Sequence, residues 1–103
     1  MKLINLTPHE ITCGEVRIPA SGDIARVTNH TVACGTILGI PLFESRSIGL
    51  VGVPDPKEGV SYIVPSKVRE ALPKRRDLLS PARLIRDRAG AVVACLGLEI
   101  NPE

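Results

Sequence analysis

The chain has almost no aromatic side chains: among 103 residues only Phe43 and Tyr62 are aromatic, and tryptophan is absent. That argues against a stacking platform for single-stranded nucleic acid. It also requires a core built from many small Val, Ile, Leu and Ala contacts. Cys13, Cys34 and Cys95 are scattered, with no C-x-x-C pair, so no disulfide framework or zinc site is signalled and buried free thiols are expected. His9 and His30 are the only histidines and stand at no metal-ligand spacing, so no metal and no cofactor is expected. There is no phosphate-binding glycine loop, no nucleophile elbow around a cysteine or Ser66, and no helix-turn-helix or finger signature. No apolar run reaches eighteen residues, and "MKLINLTPHE" turns polar too early for a signal-peptide core. A cytoplasmic protein with no membrane partner is expected.

What is present is aliphatic and heavily punctuated. Apolar residues make up 44% of the chain, and nine glycines and nine prolines interrupt them every few residues. Short strands and tight turns suit that composition better than a helical bundle. A chain of this length is one domain, residues 1–103, with a modest core that oligomerisation would supplement. The formal net charge of +2 hides an asymmetry: residues 67–88 sum to +5 and all the others to −3. An anionic partner for the second half fits this, as does a plain solvated face.

Along the chain, "KLINL" reads as a first strand stopped at Pro8, and residues 11–18 as a hairpin turning at Gly14. In "ASGDIARV", a turn at Ser21-Gly22 precedes a strand with Ile24 and Arg26 on one face and Ala25 and Val27 on the other. From Thr31 to Val53 the near-continuous apolar sequence, broken by glycines and Pro41, predicts two or three buried strands, with "FESRS" at 43–47 an exposed turn. "PDPKEG" is a loop leading into the strand "VSYIV". "PSKVREALPK" predicts one short helix near 66–72, docked through Val68, Ala71 and Leu72 and ended by Pro73. After Pro81, "ARLIRD", "RAG" and "AVVACLGLEI" predict a closing hairpin. The expected fold is mainly β, a small α+β domain with short strands in a sheet or partly open barrel and one short helix.

Several stretches carry a resemblance: Asn5-Leu6-Thr7-Pro8-His9-Glu10, Ile18-Pro19-x-Ser21-Gly22 followed by Ala25-Arg26-Val27, Tyr62-Ile63-Val64, and Arg76-Asp77 with Pro81 and Arg86-Asp87. Together they resemble a family of small proteins of tailed phages, prophages and bacteria, most without a functional name. The resemblance implies a phage-associated setting, in the host cytoplasm if phage-encoded, and a shared fold. By context it points to sponge-like anti-defence proteins that sequester nucleotide signals. The pattern has serine directly after Tyr-Ile-Val, whereas here Pro65 intervenes and Ser66 follows.

The residues themselves suit a compact anionic ligand better than nucleic acid. Arginine holds a phosphate bidentately, and two or three such forks grip a phosphorylated metabolite. The candidate ligand-binding set is Arg26, Arg76 and Arg86 as phosphate donors, Asp77 as orienter or ribose acceptor, and Thr7 and Tyr62 as neutral walls, with His9 and Ser66 beside them. Each has a plainer reading. The Arg-Asp pairs are common in surface turns, Arg26 serves equally as a tie to an aspartate, Tyr62 is core material and His9 completes a turn. The function expected from sequence is non-enzymatic capture of a small phosphorylated or nucleotide-derived molecule by a homo-oligomer. The alternatives are a virion-assembly or protein-interaction module with exposed apolar edges, and a small phosphoester hydrolase.

Overall fold

The computed structural model describes residues 1–103, except for the side chains at positions 47 and 48. Eight strands and one helix follow in the order β1 (Lys2–Asn5), β2 (Ile11–Cys13), β3 (Val16–Ile18), β4 (Arg26–Ile37), β5 (Ile40–Val51), β6 (Val60–Ile63), α1 (Ser66–Ala71), β7 (Leu78–Arg86) and β8 (Val92–Ile100). Six of the strands form one mixed sheet in the order β1-β6-β7-β8-β2-β3. A bridge between Asn5 and Ala20 brings the end of β3 back beside β1, so the sheet curls into a nearly closed barrel with one seam. The mainly β, one-helix fold read from the sequence is the fold observed.

Asn5 holds that seam. Fully buried, it donates through Nδ2 to the His9 carbonyl at 2.8 Å and the Ile18 carbonyl at 3.1 Å, while its Oδ1 accepts the Thr7 backbone N–H at 2.9 Å. One amide thus satisfies the backbone of the "NLTPH" turn and ties β1 to β3 where no ladder forms.

The core lies where α1 and the base of a β-arm cover the sheet. Tyr62, Val64 and Leu78 pack with Leu6, Ala25 and Val68, and Val27, Leu50 and Leu72 close around them. Ile63, of opposite parity on β6, is buried on the other face. Helix α1 is too short to stand alone and is held by polar anchors at its C-terminal half. Arg69 is 5% exposed, and its Nε donates to Ser80 Oγ at 2.8 Å and its Nη1 to Asn101 Oδ1 at 2.9 Å. The Asn101 amide nitrogen in turn lies within 3.0 Å of the carbonyls of Arg69, Leu72 and Arg75, capping the helix end. The expected docking face is therefore corrected: Val68 and Leu72 turn inward as the pattern requires, but Ala71 is exposed and Arg69 takes the inward place.

The middle of the chain departs most from its sequence reading. Residues 26–51 form a single antiparallel arm, β4 against β5, turning at Leu38-Gly39. Residues 43–46 of "FESRS" lie within β5, paired with 30–33, instead of forming a turn. The strands are long and exposed where short buried ones were expected, because nothing in the chain covers them beyond the base. At about 3.3 Å per residue the arm runs some 40 Å. The molecule accordingly measures 54 × 38 × 28 Å with a radius of gyration of 16.6 Å, where a compact chain of this length has about 13 Å. Strand β7 also starts earlier than expected, at Leu78, and contains Pro81. β6 pairs with it only as far as Leu79, so the proline sits where β7 has a free edge.

Candidate functional site

The eight candidate residues are distributed over the whole molecule. Thr7 is buried in the seam turn, its hydroxyl donating to Asn5 Oδ1 at 2.6 Å, and His9 contributes a backbone carbonyl to that turn while its ring is exposed. Tyr62 is 4% exposed, inside the core. Ser66 opens α1. Asp77 accepts both Nε and Nη2 of Arg75 at 2.8 Å, and Arg75 Nη2 also reaches the Pro54 carbonyl. That guanidinium holds the Asp77 carboxyl below the usual carboxylate range, and the carboxylate pushes Arg75 higher still. Arg76 donates instead to the Asn101 carbonyl and to Glu103. Arg86 donates to the Gly90 carbonyl, and Asp87 accepts the N–H groups of Ala89 and Ala91, closing the β7–β8 turn. Arg26 is exposed at the base of the arm, opposite Val51, with no ion pair among the described residues.

The structure brings Thr7 and His9 together and separates the arginines. Arg76 precedes β7 and Arg86 ends it, about 25 Å apart by the rise of the strand. One phosphate cannot bridge them within a single chain.

Among the described residues, two recesses on the barrel bear on a site. The larger, about 780 Å³ and broadly open, is lined by Ser66, Arg69, Glu70, Arg83 and Glu99 among others. Arg69 is already engaged by Ser80, Asn101 and, at 3.3 Å, Glu99. Arg83, at φ 54 in the middle of β7, is exposed. The smaller recess, about 180 Å³, lies between β2 and the β7–β8 hairpin and is lined chiefly by Ile11, Leu84, Val92, Val93 and Cys95, with His9 and Glu10 at its rim. Beneath it Cys13 and Cys95 oppose each other across parallel strands, their sulfurs 2.6 Å apart. Burial and the neighbouring Cys95 thiol push the Cys13 thiol up to about 11. The expectation of buried free thiols holds for Cys95, while Cys13 is half-buried and Cys34 stands exposed on the arm.

The most conspicuous surface is the arm itself. From Thr31 to Phe43 it carries no charged side chain. Ile37, Leu38, Ile40 and Phe43 are 58%, 95%, 59% and 65% exposed. Charge returns only below the tip, where Arg46 pairs with Glu44. The barrel wall adds Val92, Val93 and Leu96 as further exposed aliphatics. The chain exposes 7488 Å², against about 5,600 Å² for a compact monomer of its mass. No family model, curated protein or solved structure matches this chain.

Of these tip residues, Ile37, Leu38 and Ile40 fall in the stretch the sequence reading sent to the interior, whereas Phe43 opened its exposed turn. Their signal was "TILGIPLF", two short largely apolar runs flanking Leu-Gly, a pattern that suits a two-residue hairpin as well as a buried strand pair.

Proposed function

We propose that the chain is a non-enzymatic interaction module that assembles through its β-arm, in the phage-associated setting its resemblance implies. One observation carries this reading: an uncharged arm tip projects from the body with four large aliphatic or aromatic side chains in water. Contiguous apolar surface of this kind marks protein interaction sites, and a lone chain gains nothing by presenting it. The surplus of about 1,900 Å² over a compact monomer matches the area that specific interfaces bury. The test compares two variants by size-exclusion chromatography with light scattering. Ile40→Ser with Phe43→Ser is expected to dissociate the assembly, and Arg26→Ala with Arg86→Ala to leave it intact; the reverse pattern contradicts the proposal.

Capture of a small anionic or nucleotide-derived molecule is the second reading, favoured by the open recess in which Ser66 and the exposed Arg83 meet Arg69. The carboxylates of Glu70 and Glu99 at its edge oppose an anion, which is why this reading ranks second. Heat-precipitating the protein and examining the supernatant by mass spectrometry reveals any resident nucleotide; an empty supernatant and no calorimetric binding of cyclic nucleotides remove this reading.

A further inference from the structure

We infer that the arm tip of one copy seats in the apolar recess between β2 and the β7–β8 hairpin of a second copy. The inference rests on the assembly reading above and names its partner. Donor and acceptor match in chemistry: the tip offers Ile37, Leu38 and Ile40, and the recess is lined chiefly by Ile11, Leu84, Val92 and Val93. They match in size as well, since about 180 Å³ accommodates one or two branched aliphatic side chains and is far too small for a folded element.

The turn supplies an independent reason. A two-residue hairpin turn with positive φ at both positions favours Asn-Gly, yet position 38, at φ 51, is leucine. Leucine is strained in that conformation and is 95% exposed. Both costs fall on the free chain, and a contact that buries the side chain offsets them.

A second copy fits better than a membrane. The uncharged part of the arm, residues 31–43, gives seven residues of β4 and only four of β5, both short of the nine to eleven a spanning strand needs. It also fits better than an unrelated protein, because one chain exposes both a protrusion and a recess of the same chemistry. Unlike surfaces that meet in this way close either as a reciprocal arm exchange or as a ring.

The experiment places a photoreactive benzoyl-phenylalanine at Leu38 in the full chain, mixes it with isotope-labelled wild type, irradiates, and maps the inter-chain crosslinks by mass spectrometry. Crosslinks to residues 9–12 or 84–95 of the second copy are expected, and Val93→Asp is expected to weaken self-association at least tenfold without lowering the melting temperature of the monomer. An oligomer whose crosslinks fall elsewhere overturns the docking site and leaves assembly through the arm standing. A monomer that gives no crosslink overturns both. A monomer that floats with phosphatidylcholine–phosphatidylglycerol vesicles overturns both in favour of a lipid surface.

Discussion

Replacing Leu38 by asparagine separates what the turn needs from what the assembly needs. The residue has φ 51 and Gly39 has φ 78, the pairing that Asn-Gly adopts with least strain. A leucine held there costs about 1–2 kcal/mol, much of which asparagine recovers because it tolerates the left-handed region. Leu38→Asn therefore tightens the free arm. The same change removes a side chain whose burial is worth about 1.5–3 kcal/mol, so self-association weakens by a factor of roughly 10 to 150. Stability and assembly move in opposite directions, which a merely destabilising mutation does not do. Hydrogen exchange on dilute, monomeric samples reads the first effect as equal or slower exchange of arm amides. Sedimentation velocity over a concentration series reads the second. A variant that associates as tightly as wild type, or whose arm amides exchange faster, refutes the reasoning about this turn.

Gly52→Ala tests the junction between arm and barrel: at φ +80 an added Cβ falls 2.2 Å from the Ile24 carbonyl oxygen, beside the fully buried Ala25. Strain and overlap together cost about 2–5 kcal/mol, and the melting temperature falls by at least about 10 °C in a thermal scan. Asn101→Ala leaves Arg69 Nη1 without its acceptor and three carbonyls without their donor, a loss of about 2–4 kcal/mol visible as a lower urea midpoint. The Arg75–Asp77 pair makes stability acid-sensitive. Because the folded Asp77 carboxyl lies below its ordinary value of 3.8, its contribution is complete above that pH and is lost as pH falls through the lower folded value. Urea midpoints of wild type should drop across that acid window, and Asp77→Asn should flatten the drop while lowering the midpoint at pH 7.

How far the sequence revealed this molecule depended on which residues did the signalling. The hairpin at Gly14, the single helix after Pro65 and the closing β7–β8 hairpin were legible because turn residues and apolar alternation agree there. In "ASGDIARV" the alternation came out as read, Ile24 and Arg26 against Ala25 and Val27, and the structure turns the second pair inward. The arm was not legible as an arm. "TVACGTILGIPLF" has the composition of buried strands, and composition reports only that a segment avoids water, not whether its cover comes from the same chain. The placement of the arginines within the chain was not legible either. Arg76-Asp77 are neighbours in sequence, but their side chains take other partners, Asn101 with Glu103 and Arg75 respectively. Both dipeptides sit at the ends of β7, in turns where each side chain answers to local partners, so a repeated dipeptide carries little information about convergence. Arg69, the one arginine that is truly buried, was hidden inside the helix pattern, where its neighbours Ser80 and Asn101 lie far along the chain.

The apolar arm is proposed to be covered by another copy of the chain. Sedimentation equilibrium of the wild-type chain, from 1 to about 100 µM at physiological salt, tests it most directly. Self-association through the arm gives a mass at least twice the 11.0 kDa of one chain in the upper part of that range, reverting to one chain when the tip is made polar. A single 11.0 kDa species throughout contradicts it.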